Sequence, residues 1–319
     1  MSRRLSSTTL GALLIVVAAC GFGTLGPMTR YADDAGVSSF ALATWRAGIG
    51  ALIVLVFLGG QSLARRRTWR RWRELPVRDR IVLGFAAATN AGLNMAAFVA
   101  FLRIGIALTL LIFYVYPAFV ALASMIWFDE RLDRVRWTAL VMSMAGVALV
   151  VVGAGQLGDL DAFGIGLALA AALAQTFYAL AANHWFRAVP GAQAAASTMG
   201  GAAILYLAAA LVIGQVAVVT EPLASPSALW PVLVAGMVGA GLPTVCFIAG
   251  IRMLGAPRAT ILATLEPVVG VGLAALLFGA VPAPLQLLGG VLIIAAGIAL
   301  QLRPRGEIAE HEAVAEVEV

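Results

Sequence analysis

The sequence predicts an all-α integral membrane protein with ten transmembrane helices, arranged as a five-plus-five inverted repeat. Three observations support this prediction: long apolar runs, arginines concentrated between the runs, and a residue pattern shared by the two halves. Of the 319 residues, 62% are hydrophobic and 12% are charged, whereas a soluble domain averages about 45–50% apolar and 25% charged residues. Such a chain cannot cover itself with polar surface, so we expect the lipid bilayer to surround it.

The apolar runs have the length that a bilayer requires. About 20 residues of α-helix, each rising 1.5 Å, cross roughly 30 Å of hydrocarbon. Hydropathy predicts spans near residues 9–29, 37–59, 81–102, 106–127, 135–153, 163–186, 192–215, 229–253, 257–279 and 284–302. Because the number of spans is even, both termini lie on the same side of the membrane.

The charge pattern predicts the orientation. All 21 basic residues are arginine, a composition typical of GC-rich bacterial genomes, so we expect a bacterial protein. If the N-terminus is cytoplasmic, 18 of the 21 arginines are also cytoplasmic; Arg30 and Arg103 lie outside and Arg46 lies within a span. The positive-inside rule therefore predicts that both termini face the cytoplasm.

The two halves of the chain share a spaced residue pattern. The first-half residues and their counterparts are Gly92 and Gly241, Phe98 and Phe247, Arg103 and Arg252, Gly105 and Gly255, Pro117 and Pro267, and Ala145-Gly146 and Ala296-Gly297. The offset grows only from 149 to 151 residues, as expected for duplication followed by small loop changes. Five spans per half make the repeat inverted, an arrangement common in secondary transporters. We predict a first repeat at 1–155, a second at 156–303 and an acidic cytoplasmic tail at 304–319.

Several short motifs carry a resemblance to a known family. They are Trp45-Arg46, Tyr116-Pro117, Phe128-Asp129-Glu130-Arg131-Leu132, Leu265-Glu266-Pro267-Val268 and Leu285-Gln286-Leu287-Leu288-Gly289. Over roughly residues 9–302, the chain resembles the EamA-type branch of the drug/metabolite transporter superfamily. The resemblance implies bacterial inner-membrane export of amino acids, other metabolites or toxic compounds. Ala280 stands where the family usually repeats the glutamate seen as Glu130.

Enzymatic and cofactor chemistry have little support in the sequence. Cys20 and Cys246 lie within apolar spans, and the two histidines form no ligand cluster with them, so we expect no metal, cofactor or catalytic residue. Glycines at 21, 23 and 26 match a dinucleotide fingerprint, but no strand precedes them. Close helix packing explains these glycines better. The eight arginines from Arg65 to Arg80 indicate a segment on the anionic cytoplasmic leaflet and not a nucleic-acid site.

Polar side chains inside the spans are the candidate substrate-binding or coupling residues. Arg46 and Glu266 each lie nine residues into a span, about 13 Å deep, where a charge is costly unless it is paired or hydrated. The full set is Glu266, Arg46, Asn90, Asn94, Tyr116, Gln175 and Tyr178, and the candidate helix distortions are Pro27, Pro117 and Pro267. Purely structural roles stay open: an Arg46–Glu266 ion pair, a snorkelling Arg46, and interhelical hydrogen bonds by the amides.

We therefore expect a secondary transporter that exports a small metabolite or amino-acid-like compound by alternating access. Its expected partners are a small-molecule substrate and the lipid bilayer. Proton coupling stays open because Glu266 is titratable, and facilitated diffusion stays open as the alternative. The alternatives are a non-transporting membrane sensor or assembly factor and an intramembrane enzyme, and the oligomeric state is left open.

The predicted topology is testable with reporter fusions. Fusions at Arg70 and at the C-terminus should report a cytoplasmic location, and fusions at Asp33, Asp159 and Glu221 a periplasmic one, because arginine-rich connections stay inside. Paired phosphatase and fluorescent-protein activities measure both outcomes. A periplasmic result at Arg70 would reverse the orientation, and a cytoplasmic result at Asp159 would contradict the inversion.

Overall fold

Helices form the regular secondary structure of the described chain. The computed structural model describes residues 6–63, 70–130, 132–154 and 161–301, and these ranges contain no β-strand. The helices are α1 Ser7–Gly23, α2 Leu25–Asp34, α3 Ser39–Leu63, α4 Val77–Phe113, α5 Tyr116–Phe128, α6 Arg134–Gly153, α7 Ala162–Leu180, α8 Gly191–Val212, α9 Val216–Val219, α10 Pro226–Gly236, α11 Leu242–Leu254, α12 Ala256–Ala263, α13 Leu265–Phe278 and α14 Pro284–Gln301. Short 3₁₀ turns occur at Trp72–Glu74 and Glu221–Leu223, and π-helical turns at Ala181–Trp185 and Met237–Gly241.

Most of these helices are apolar and long enough to cross a bilayer. Within the described ranges, nine helical stretches meet this condition, and Tyr116–Phe128 is a shorter apolar helix. The all-α membrane architecture is therefore confirmed. The expected fourth span, 106–127, is not one continuous helix: its first part continues from Val77 across a kink at Gly105, and its second part begins at Tyr116. The count of ten depends on taking these two parts as one broken span.

Some sequence expectations fall outside the described residues. These are the acidic tail at 304–319, the part of the basic segment at 64–69, Arg131 and Asp159. The division into two repeats and a tail stays a prediction.

The backbone repeats its unusual conformations at an offset of 150 residues. Gly105 has φ 76° and ψ 162°, and Gly255 has φ 81° and ψ 155°. Asp129 and Gly279 are both left-handed, with φ of 52° and 63°. A left-handed conformation is uncommon for a residue with a side chain, so agreement at two pairs of positions supports a duplicated origin for the halves.

Each of the three candidate prolines follows a break in a helix. The breaks are at Thr24 before Pro27, at Tyr114-Val115 before Pro117, and at Thr264 before Pro267. Proline lacks an amide hydrogen, and its ring clashes with the carbonyl four residues earlier, so the preceding turn opens. At two breaks, the threonine hydroxyl donates to the carbonyl three residues earlier: Thr24 to Gly21 at 2.7 Å and Thr264 to Ile261 at 2.6 Å.

Glycines allow neighbouring helices to pack with their backbones in close contact. A Cβ added at Gly146 of α6 would lie 2.7 Å from the carbonyl oxygen of Gly289 in α14, and one added at Gly289 would lie 2.8 Å from the Val150 amide nitrogen. Small residues favour helix association in lipid because packing, and not the hydrophobic effect, drives it. The α6–α14 contact therefore requires glycine at both positions.

Substitution of one of these glycines tests the contact. Gly289→Ala should destabilise the protein by about 1–3 kcal/mol, because the new methyl group would overlap the α6 backbone. We expect the melting temperature in detergent to fall by several degrees, as measured by fluorescence-detected size exclusion after heating. Gly84→Ala is the matched control, since a Cβ there has no atom within 4 Å. Equal melting temperatures for the two variants would contradict the close contact.

Candidate substrate site

The broken helices meet beside Glu266. A Cβ added at Gly23, the last residue of α1, would lie 2.7 Å from Val269 Cγ1 and 3.0 Å from the Glu266 carbonyl oxygen. A Cβ at Gly239, in the π-helical turn before α11, would lie 3.2 Å from Thr24 Oγ1. The absence of side chains at these two glycines thus brings three irregular helix segments together around the start of α13.

Glu266 lies in the first turn of α13 and is half-buried. Its carboxylate is close enough to Tyr114 and Tyr116 for an electrostatic interaction with both tyrosines. Both tyrosines are buried. The start of a helix also favours a negative charge, because the backbone dipoles point their positive ends there. Glu266 therefore lies beside two polar aromatic side chains and at a favourable helix end, although it lies within an apolar span.

Arg46 is held on another side of the site by α4. Its Nη2 donates to Asn94 Oδ1 at 2.5 Å, and Asn94 Nδ2 donates to the carbonyl of Asn90 at 2.8 Å. Buried Tyr206 of α8 donates to the carbonyl of Ala91 at 3.1 Å and also hydrogen-bonds to Asn94. The amide of Asn94 is thus fixed by its neighbours, and it orients the guanidinium of Arg46.

Arg46 and Glu266 interact through their charges but are not in contact. Each contributes to the electrostatic environment of the other, yet no N–O distance between these two described residues is 4.0 Å or less, as a salt bridge requires. The ion pair considered from the sequence is therefore not formed in this structure. Both residues are half-buried, so two opposite charges lie within the bundle without a direct ion pair between them.

The other predicted residues take different places. Asn90 contributes its main-chain carbonyl to Asn94, and the Gln175 side chain makes no hydrogen bond within the described residues. Tyr178 lies apart from Glu266 and Arg46, with its hydroxyl 3.3 Å from Thr198 Oγ1 and Arg252 nearby. Gln175 and Tyr178 are one helical turn apart on α7, and Tyr178 packs toward Thr198 of α8.

Two contributors were missed by sequence reasoning. Tyr114 precedes the Tyr116-Pro117 motif by two residues and lies close to Glu266. Tyr206 was not singled out at all; its only signal is a polar aromatic ring within the apolar α8. The ring centroid of Phe113 lies 5.4 Å from that of Tyr114 and 5.4 Å from that of Tyr116. An aromatic cluster therefore borders the carboxylate of Glu266.

The arginine-rich end of the bundle joins the two predicted repeats. His184 Nε2 lies 3.3 Å from Glu130 Oε1, Asn183 Nδ2 donates to the same oxygen at 3.5 Å, and the His184 ring stacks on Phe128 at 3.6 Å. Burial raises the pKa of the Glu130 carboxyl above its ordinary value, and Arg136 opposes this shift. Glu130 thus links the end of α5 to the π-helical turn after α7.

Contacts at the opposite end also cross between the repeats. The Ser38 amide donates to Glu221 Oε2 at 2.7 Å, and Trp45 Nε1 donates to the Val219 carbonyl at 2.7 Å. Arg103 forms a 3.7 Å salt bridge with Asp161. The polar site is therefore bounded at both ends by contacts between the repeats. Within the described ranges, no three His, Cys, Asp or Glu side chains are grouped to hold a metal ion.

The long apolar helices, several of them broken around Glu266 and Arg46, define a multi-pass membrane protein. The family model of the EamA-like transporter family matches residues 9–152 and, a second time, residues 162–302. The chain therefore belongs to the EamA-like transporter family, as its motifs predicted.

Two individual comparisons add to this assignment. A curated protein named "Riboflavin transporter" from Rhizobium johnstonii (strain DSM 114642 / LMG 32736 / 3841) is 27% identical over 147 residues, which are 46% of each chain. The matched stretch thus spans about half the length of that relative. A solved protein crystal structure superposes with a TM-score of 0.74 at 21% identity, covering 92% of this chain and 96% of the other. That likeness shows the fold alone.

Proposed function

We propose that this protein is a secondary transporter that exports a small amphipathic, amino-acid-like metabolite across the bacterial inner membrane by alternating access. One observation carries the proposal: Glu266 and Arg46 interact through their opposite charges without forming a salt bridge with each other, and Arg46 donates instead to the neutral amide of Asn94. Charges left unpaired within a span are costly, and such residues commonly mark a substrate or ion path.

The chemistry of the site fits a substrate that carries both charges. Glu266 can accept from an ammonium group, and Arg46 can donate to a carboxylate in two parallel hydrogen bonds. The half-buried ring of Phe113, which packs on buried Tyr114 and Tyr116, provides apolar surface for the remainder of the molecule. Such a substrate would supply the counter-charge that each residue lacks, so its binding offsets the cost of keeping both charges within the membrane.

Two features support alternating access: the positions of the helix breaks and the positions of the contacts that close each end of the bundle. The breaks at Thr24 and Thr264 lie beside the site, while the Glu130 and Glu221 contacts lie toward the two ends. Opening one set of end contacts while the other stays closed would expose the site to one side at a time. The helix breaks would absorb the change in helix direction.

Glu266 is also the candidate for proton coupling. It can take up a proton when the substrate leaves, because a neutral carboxyl costs less to bury than a charged one. In that case transport is driven by the proton gradient; otherwise the protein works by facilitated diffusion. The pH dependence of transport separates these two modes.

Riboflavin is a second candidate substrate. The curated relative carries that name, and the cluster of Phe113, Tyr114 and Tyr116 offers rings on which a flat ligand can stack. Uptake of labelled riboflavin by cells that overexpress the protein would favour this candidate and the inward direction. Its absence, together with efflux of an amino-acid-like compound, would favour export.

Overexpression across a panel of compounds tests the proposed activity. We expect cells with excess protein to tolerate, and release, a small zwitterionic or amphipathic metabolite better than a deletion strain, because export lowers its internal concentration. Growth at graded concentrations and release of labelled compound are the measurements. If no amino acid, amine, antimicrobial or riboflavin responds, and liposomes with purified protein bind but do not move ligands, a sensor or assembly factor is favoured. Chemical conversion of a ligand would instead favour an enzyme.

Replacement of Glu266 by glutamine tests the centre of the site. Glu266→Gln keeps the side-chain shape and removes the charge, so transport should fall by about tenfold or more and lose any pH dependence, since hydrogen bonds to charged groups contribute about 1.5–3 kcal/mol. Flux into liposomes between pH 6 and pH 8 measures both effects.

The flux of Glu266→Gln is compared with that of a control variant, and the amount of each protein in the membrane is measured. Asp33→Asn removes an exposed carboxylate near the end of α2 and should leave transport unchanged. Wild-type flux in Glu266→Gln would exclude Glu266 as a coupling site or required ligand. Failure of that variant to accumulate in the membrane would favour a structural role.

A further inference from the structure

The chain from Arg70 to Ile81 leads into α4 at the arginine-rich end, and its first residue is held by hydrogen bonds to the side chain of Gln193. The Arg70 amide donates to Gln193 Oε1 at 2.9 Å, and Gln193 Nε2 donates back to the Arg70 carbonyl at 2.8 Å. Gln193 is fully buried, and Leu75 is 2% exposed. Because both ends of this short stretch are fixed, its exposed side chains have a defined position on the surface.

The arginines of this segment face outward without acidic partners. Arg70, Arg71, Arg73 and Arg78 are exposed, and none of them forms a salt bridge within the described residues. The nearby carboxylate of Glu74 instead accepts from the Arg71 amide at 3.2 Å, which closes the 3₁₀ turn. Four guanidinium groups therefore remain available to an anionic partner.

Exposed apolar side chains share this surface. Trp72 is 48% exposed, and Val77, Ile81 and Phe85 are 61%, 66% and 55% exposed. The last three are spaced four residues apart, so they form one stripe along α4. A stripe of large apolar side chains on a spanning helix faces lipid tails, and tryptophan prefers the level of the headgroups. The arginines thus lie where the lipid-facing stripe reaches the membrane surface.

We propose that the segment from Arg70 to Ile81 is a binding surface for the anionic phospholipid headgroups of the leaflet that it faces. Guanidinium groups form paired hydrogen bonds with phosphate, and Trp72 would insert at the headgroup level. The segment would then hold α4, which carries Asn90 and Asn94, in register with the surrounding lipid. This surface is separate from the Glu266 site, so the proposal does not depend on which substrate is transported.

Tryptophan quenching by brominated lipids tests this surface in full-length protein. In nanodiscs, brominated phosphatidylglycerol should quench fluorescence more strongly than brominated phosphatidylcholine, and Trp72→Phe should remove the difference. The triple variant Arg71→Gln, Arg73→Gln, Arg78→Gln should weaken the preference for phosphatidylglycerol over phosphatidylcholine by about a hundredfold, since each basic residue near an anionic surface contributes about 1 kcal/mol.

A matched triple variant separates charge from side-chain shape. The triple variant Arg71→Lys, Arg73→Lys, Arg78→Lys keeps the charge and should retain most of the preference for phosphatidylglycerol. Inorganic phosphate added to phosphatidylcholine discs should leave the fluorescence unchanged. Equal quenching by the two lipids in wild-type protein would overturn the proposal. Unaltered lipid preference in the glutamine variant would do the same, and a response to inorganic phosphate alone would identify a free-anion site instead.

Discussion

The absence of water in the bilayer core is the constraint on which this structure depends. Every backbone amide and carbonyl there requires a partner within the protein, which is why the spans are helical. The same constraint makes the interruptions before Pro27 and Pro267 costly. They are tolerated because the hydroxyls of Thr24 and Thr264 bond to nearby carbonyls and because Gly23 lets the two breaks pack together. The interruptions are thus concentrated at one place in the bundle, where the candidate site lies.

Two arginines at matching sequence positions stabilise opposite ends of the same helix. Arg103 and Arg252 are 149 residues apart in the pattern shared by the two halves, and both contact the ends of α7. Arg103 pairs with Asp161, which caps the start of α7, whereas Arg252 donates to carbonyls beyond its end, including those of Phe186 and Val189. An acidic group at the start and a cation at the end both complement the helix dipole. An inverted repeat, as the sequence predicts, would account for this use of one matching position at two ends.

The candidate site combines contacts that differ in how far they reach along the chain. Glu266 and Pro267 are neighbours in sequence, and the break before them follows from the proline ring. Tyr114 reaches Glu266 across about 150 residues, and Tyr206 reaches Ala91 across 115. Local chemistry could therefore nominate the carboxylate, whereas the tyrosines beside it and the support of Arg46 depend on helix packing. Helix packing in lipid is set by small residues whose partners are not encoded locally.

The sequence by itself determined the membrane class, the helical architecture and the family, because apolar run length, charge placement and short motifs are local properties. It also located the helix-breaking prolines, since proline acts on its own preceding turn. Only the tertiary structure decided that Arg46 bonds to Asn94 and not to Glu266, that Tyr178 lies apart from the site, and that the fourth span is broken. These outcomes depend on the relative rotation and spacing of helices far apart in the chain, which glycine contacts such as Gly146 with Gly289 determine.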